Sequence, residues 1–346
     1  MSLDPSSLRV FPASLRVSTA GLRPESHNRL YPGPRPLADL DDFRYLVNPD
    51  ACGSDAVNLL ILVTSHPRDT ALRGVWRRHL TQSHLAELGA KRVFMLGIPS
   101  DGDDPSGDPS IEEEHSEHGD VLQGNFLEAY RNLTYKHLMG LDWAARFCPQ
   151  AKFVLKMDDD IAIDIYQMDE MLAGRSSEEE SLLGFVQAGL RPIRETGSKW
   201  FVEEREFSGE EYPTFLSGWA YLATTWAAAR LVEEAEGMPC FWIDDVYVTG
   251  ILAERAGLPR RSLTSQYTPF AAHAECCARA SDSLCDHVAA PTTGDADLLR
   301  RFLVHARACR ERGCTRPPPS LGPRCIGVGR HLPETKGAGQ VFVVRL

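Results

Sequence analysis

Three consecutive aspartates, Asp158, Asp159 and Asp160, stand in the stretch AKFVLKMDDDIAID, where the apolar run Phe153, Val154, Leu155 leads into them through Lys156 and Met157. Adjacent carboxylates repel, so three that stay ionised need either water on an exposed turn or a bound cation. In an extended chain, side chains alternate, so Asp158 and Asp160 point one way and Asp159 the other. Two carboxylates on one side offer hard oxygen ligands suited to Mg2+ or Mn2+, ions that keep open positions for substrate phosphates. Acidic triplets are common on surface turns, but one at the end of a buried strand is costly unless it does chemistry. Lys156, two residues earlier, either balances the cluster or reaches a phosphate.

A second acidic pair, Asp244 and Asp245, lies in CFWIDDVYVTGILAERAG, just before the apolar positions Val246, Val248, Ile251 and Leu252 of an expected helix. Capping that helix is the plain use of such a pair. The neighbouring Phe241 and Trp242 suggest a second use, because a carboxylate beside aromatic walls is suited to act as a general base or to orient a sugar hydroxyl. Between the two acidic groups, EEYPTFLSGWAYLAT carries Ser217 and Gly218 inside a strand-like pattern. A glycine there marks close approach of backbone or ligand, while Tyr212, Trp219 and Tyr221 fit core packing equally well.

These residues need a scaffold, and the sequence supplies one. Val57 to Val63 is a continuous apolar run, as in a buried parallel strand. One helix is expected through DTALRGVWRRHLTQSHLAELG, ending near Gly89, followed by a strand at KRVFMLG. Residues 100 to 120 read as an acidic, solvated loop with a short helix. After a strand at DVLQ, the segment FLEAYRNLTYKHLMGLDWAARFC reads as a helix with Tyr130, Leu133, Leu138, Leu141 and Ala145 on one face. The strand Lys152 to Met157 then feeds the aspartates. Alternating strands and helices imply an α/β fold, a mostly parallel sheet with helices on both faces, whose ligands sit beyond the carboxyl ends of the strands.

The chain has 346 residues, 43% hydrophobic and 25% charged, so a large packed core is expected. Its net charge of −11 argues against a nucleic-acid partner. Residues 1 to 55, rich in Pro, Ser, Arg and Gly, read as a stem or linker, residues 56 to 312 as the catalytic domain, and residues 313 to 346 as a Pro/Gly-rich tail. No run of about 18 to 20 apolar residues is present, and the N-terminus has no apolar signal core. Yet nine cysteines, six of them in the C-terminal quarter, read as a disulfide set of the secretory pathway. An anchor missing from this chain reconciles the two, and the sequon Asn132-Leu133-Thr134 points the same way.

The blocks HGDVLQGNFLEAYRNLTYKHLMGLDWAARFCPQAKFVLKMDDDIAID, YPTFLSGWAYLAT and FWIDDVYVTGILAERAGL, in that order, resemble the β-1,3-galactosyltransferase family, related to the N-acetylglucosaminyltransferases and Fringe. The resemblance spans about residues 57 to 300. It implies a GT-A fold and an inverting enzyme that moves a sugar, galactose first among the choices, from a UDP-sugar to a 3-hydroxyl in β linkage. The acceptor would be a glycan on a glycoprotein, proteoglycan or glycolipid, with Mn2+ or Mg2+ as cofactor, and the place the Golgi lumen, on a type II membrane anchor. Residue by residue, Asp158, Asp159 and Asp160 match the metal and nucleotide-sugar triplet, Asp245 the catalytic base, and Asp244 a position usually Glu. Tyr212, Pro213, Ser217, Gly218 and Tyr221 match the block beside the sugar; Lys156, by its place before the triplet, is a further candidate for the nucleotide-sugar site. Arg73 and Arg77 in RGVWRRHL match an early arginine block that contacts the nucleotide, although its other residues differ. The late metal histidine has no clear counterpart; His287 is the first candidate, followed by His273 and His305. Two other readings compete: a catalytically silent relative acting as chaperone or binding partner, and a metal-dependent phosphohydrolase. The latter needs a second His/Asp cluster that the sequence lacks.

Overall fold

The apolar runs become strands of one sheet. The computed structural model describes residues 33–99, 110–176, 180–280 and 282–316. Its strands are β1 (Arg35–Leu37), β2 (Leu40–Phe43), β3 (Tyr45–Val47), β4 (Val57–Thr64), β5 (Ala90–Ile98), β6 (Val121–Leu127), β7 (Ala151–Asp158), β8 (Ile161–Ile163), β9 (Leu182–Gln187), β10 (Phe215–Thr224), β11 (Arg260–Ser262) and β12 (Ala289–Pro291). The main sheet has the order β11-β9-β10-β7-β4-β5-β6-β3. Its centre, β7-β4-β5-β6, is parallel, as the continuous apolar runs require. Strand β10 is antiparallel to both β7 and β9, and β3 is antiparallel to β6, so the sheet is mixed rather than mostly parallel.

Helices cover both faces: α1 (Thr70–His79), α2 (Gln82–Glu87), α3 (Ile111–His118), α4 (Leu133–Phe147), α5 (Ile165–Ala173), α6 (Thr225–Ala235), α7 (Ala271–Arg279) and α8 (Ala296–Arg312). Alternation along β4 divides the core. Leu60 and Leu62 pack with Leu138 and Leu141 of α4 on one side, while Leu59, Ile61 and Val63 pack with Trp76 of α1 and Leu299 of α8 on the other. The same alternation on β7 sends Val154 to the α4 side and Phe153, Leu155 and Met157 to the α1 side. By that period Lys156 and Asp158 face α4.

Three local expectations are corrected. The stem ends earlier than residue 55: Phe43 and Tyr45 are buried, and β3 joins the sheet edge. The helix expected to run unbroken to Gly89 stops at His79, because Thr81 caps a new helix by accepting from His84 N. The helix expected from residue 126 starts at Leu133, since β6 runs to Leu127 and Tyr130–Asn132 is a 3-10 turn that leaves Tyr130 exposed. Asn132 and Thr134 of the sequon are engaged in the fold. The Asn132 amide donates to Leu127 O (2.9 Å), and the Thr134 hydroxyl, fully buried, donates to Phe241 O (2.7 Å).

Disulfides join Cys52 to Cys148, Cys277 to Cys285 and Cys309 to Cys314. Cys276 is also disulfide-bonded, and Cys240 is the free thiol among the described residues. Cys325 and most of the tail lie outside the described residues, as does most of the stem.

Candidate active site

Strand β7 ends at Asp158, and the chain turns through Asp159 and Asp160 into β8. Asp159 turns toward α1, where its carboxylate accepts from Ser65 Oγ (2.6 Å) and its carbonyl from Trp76 Nε1 (2.8 Å). Burial pushes its acid up to about 7. Asp158, with 37% of its side chain exposed, is held by Lys156 Nζ at 3.0 Å. Asp160 anchors the turn through its carbonyl, which accepts from Thr292 N and Oγ1 (2.8 and 2.7 Å). Its carboxyl is raised to about 6 by burial and by the charge of Asp158. Two hard carboxylates whose charges oppose each other at a strand end are a fitting donor set for a divalent cation, and they leave other coordination positions for phosphate oxygens.

Across from this edge, Lys156 ties the two acidic groups together. Its buried ammonium donates to Gly218 O (2.5 Å) and lies 3.8 Å from Asp244. Burial opposes its charge, but Asp158 and Asp244 outweigh that and raise its pKa. Gly218 N donates to Asp245 Oδ2 (3.1 Å), and Val246 N donates to Oδ1 (2.8 Å). A Cβ on Gly218 would sit 3.0 Å from the Asp245 Cβ, so glycine is what lets β10 approach the acid pair.

Asp244 and Asp245 are chemically different. Burial disfavours the Asp244 charge, but Lys156 and the His137 hydrogen bond (Nδ1, 2.9 Å) outweigh it and hold the carboxyl at about 2. Burial, and then the fixed charge of Asp244, push Asp245 up to about 7. Two neighbouring acids driven apart in this way are a division of roles: a permanent anion and a proton acceptor poised near neutrality. His137 is fully buried, and burial lowers its pKa. Because Asp244 can only accept, the neutral imidazole carries its proton on Nδ1, and Nε2 accepts from Tyr221 OH (2.7 Å).

The helix after Asp245 opens as a π-helix, Val246–Leu252, and continues as Ala253–Arg255. Thr249 Oγ1 donates back to Asp245 O (2.7 Å) and accepts from Leu216 N (2.9 Å), pinning the widened turn to β10. Such bulged turns recur at functional sites.

The structure does not bring every residue singled out from the sequence to this site. Arg73 is fully buried, and all five of its N–H groups are taken. They go to Glu114 (2.7 and 2.6 Å), Ser65 Oγ (3.0 Å), His66 O (2.6 Å) and Pro67 O (3.0 Å). It has no donor left for a nucleotide. Arg77 is paired with Asp120 and Glu114 (2.6 and 2.7 Å). Both arginines are scaffold, and Arg73 meets the site through Ser65, whose hydroxyl donates to Asp159. His287 lies five residues before Thr292, the residue that meets Asp160, which is roughly 15 Å along an extended strand. It stacks on His273 instead (centroids 4.7 Å apart), so neither completes the metal edge. His305 bonds Ser283 O (3.1 Å), beside the Cys277–Cys285 disulfide. Tyr221 is fully buried and reaches the acids only through His137. The Ser217 hydroxyl accepts from Gln187 (2.9 Å), and Tyr212 packs against Phe207 and Phe241.

His137 and Ser65 were missed in the sequence. Their partners stand 107 and 94 residues away, a pairing that no local spacing announces.

The family model of the galactosyltransferases matches residues 67–264. Beta-1,3-galactosyltransferase 5 of Pan troglodytes is 34% identical over 234 residues, covering 66% of this chain and 76% of that protein. The acetylgalactosaminyl-O-glycosyl-glycoprotein beta-1,3-N-acetylglucosaminyltransferase of Homo sapiens is 37% identical over 215 residues (61% and 56%). The lactosylceramide 1,3-N-acetyl-beta-D-glucosaminyltransferase of Mus musculus is 30% identical over 225 residues (62% and 59%). The matched span encloses the aspartate turn, the Ser217-Gly218 strand and the Asp244-Asp245 pair, and on this ground the chain belongs to the galactosyltransferase family.

Proposed function

We propose that the protein is an inverting β-1,3-glycosyltransferase of GT-A fold, which moves galactose or an N-acetylhexosamine from a UDP-sugar to the 3-hydroxyl of a glycan acceptor. Relatives named for glycoprotein and lactosylceramide acceptors support a glycan on protein or lipid as the acceptor class. The observation that carries the reading is the Lys156 bridge, one ammonium holding Asp158 on the phosphate side and Gly218 and Asp244 on the base side.

Asp158 and Asp160 would hold the divalent cation, whose chemistry when bound is to neutralise the diphosphate charge as the sugar leaves. Lys156 fixes Asp158 and adds positive charge beneath the same edge. Gly218 N and Val246 N clamp both oxygens of Asp245, leaving each a lone pair, and Asp245 accepts the proton of the acceptor hydroxyl as it attacks the anomeric carbon. Asp244, kept anionic by Lys156 and His137, keeps Asp245 basic enough for that task. Attack from the side opposite the diphosphate inverts the anomeric centre. The catalytic unit would span the ordered core, with stem and tail outside it. The disulfides fit the oxidising lumen of the Golgi, with the chain held there by an anchor. Among the described residues no helix is long and apolar enough to cross a membrane.

The test is to incubate the protein with UDP-galactose, UDP-N-acetylglucosamine and UDP-N-acetylgalactosamine in Mn2+, with and without β-galactoside and N-acetylhexosaminide acceptors. Metal-dependent transfer that chelator abolishes is the expected result. UDP binding without transfer from any donor would return the silent relative to first place.

A further inference from the structure

Next to the acids lies an aromatic surface that the proposed reaction does not yet use. Tyr130, in the 3-10 turn between β6 and α4, leaves 46% of its surface exposed. Its ring lies 6.0 Å from that of Trp242, whose indole Nε1 is buried without an acceptor among the described residues. The long connection between β9 and β10 brings Trp200 to the same place, and Trp242 itself stands three residues before Asp245. Lys199 places its ammonium 4.3 Å from the Trp200 ring centre and 5.8 Å from that of Tyr130. Arg131 lies 4.3 Å over Trp242 and is ion-paired with Glu206.

Three segments far apart in sequence therefore converge on exposed Tyr130, with Trp200 half-buried beside it, Trp242 buried behind it, and a charged rim. A single exposed ring is ordinary, but one set against two further rings and a charged rim beside a carboxylate offers a surface for a ligand. The occupant is defined by position. The diphosphate belongs at Asp158 and Asp160, so what rests on the rings beside Asp245 must present a hydroxyl to that carboxylate. A pyranose ring fits, because its C–H face packs on a π-face while its hydroxyl edge meets ammonium, guanidinium and carboxylate groups.

We infer that Tyr130 and Trp200 form the platform on which the acceptor hexopyranose stacks, with its reacting hydroxyl toward Asp245 and its outer hydroxyls toward Lys199 and Arg131. The inference rests on the transferase reading above. In it, the acceptor is recognised by ring stacking, and the nucleotide is untouched by this face.

The experiment compares wild type with Tyr130→Ala, Tyr130→Phe and Trp200→Ala. Acceptor KM and kcat are measured with methyl β-galactoside and methyl β-N-acetylglucosaminide, and affinity for UDP in Mn2+ is measured by calorimetry. Loss of one ring should raise acceptor KM about tenfold, while UDP affinity stays within about twofold and Tyr130→Phe behaves nearly as wild type. Thermal melting of each variant checks that the fold is intact. Unchanged acceptor KM in both alanine variants overturns the platform, as does a loss of UDP affinity that matches the rise in KM. A wild-type protein that binds no UDP and transfers nothing removes the transferase reading and the platform with it, and shows this before any variant is made.

Discussion

At the scale of single residues, two adjacent carboxyls behave differently. Asp244 is anchored by Lys156 and His137, and Asp245 is left with backbone donors only, so the proposed proton acceptor is the one raised to about 7. A base must be deprotonated to work, so kcat/KM should fall as pH drops below about 7, by about tenfold per unit on the limb. The charge of Asp244 is one cause of that elevation. Asp244→Asn removes it and lowers the Asp245 pKa, so the acid limb should move to lower pH. A pH–rate profile of the two proteins checks both the limb and the sign of its movement. The acids themselves were legible in the sequence, since a charged triplet after a buried strand and a paired acid before an apolar helix are local patterns. Which acid is the base was not, because the asymmetry comes from Lys156, His137 and Gly218, brought in from three different elements.

Elements position these residues by two devices, close backbone approach and buried ion pairs. Strand β10 approaches the π-helix because Gly218 has no side chain. Gly218→Ala should therefore push Asp245 away while leaving the fold intact, with transfer reduced by about 10². Steady-state kinetics and a melting curve separate that result from unfolding. The connection from β4 to α1 is fixed by Arg73 on Glu114, both nearly inaccessible. Arg73→Ala leaves Glu114 buried without its main partner and should cost about 3–5 kcal/mol in denaturant unfolding. If Arg73 instead contacted the nucleotide, UDP affinity would fall with stability unchanged. The strands were readable from their apolar runs because parallel strands are buried on both faces. Helix starts were less so: Thr81 breaks one helix and Tyr130–Asn132 delays another, in each case through capping or tertiary contacts that the apolar period does not encode. The edge strand β3 was hidden for the same reason, being three residues long and stabilised by β6.

On the scale of the whole molecule, the sheet sets the aspartate turn at the end of β7 beside Gly218 of the adjoining β10, whose N–H holds Asp245, and disulfides close its periphery. Cys52–Cys148 ties the segment before β4 to the end of α4, across 96 residues. A loop of that length corresponds to roughly 4–5 kcal/mol in the chain-entropy account. Cys52→Ala with Cys148→Ala should therefore lower the melting temperature markedly in non-reducing buffer, and the wild-type protein should lose a similar amount under dithiothreitol. Equal melting temperatures in all three conditions would contradict a structural role for the bridge and weaken the case for an oxidising compartment. The cysteine richness was visible in the sequence; the pairing was not, since it depends on which strands and helices meet.

The central claim is that Asp245 takes the acceptor's proton while Asp158 and Asp160 serve the diphosphate. Asn in place of Asp245 keeps the size of the side chain but cannot accept that proton. The most direct measurement is transfer rate and UDP affinity, side by side, for Asp245→Asn. The account predicts that UDP binding in Mn2+ is retained while transfer falls by roughly 10² or more. Transfer at the wild-type rate in Asp245→Asn would contradict it.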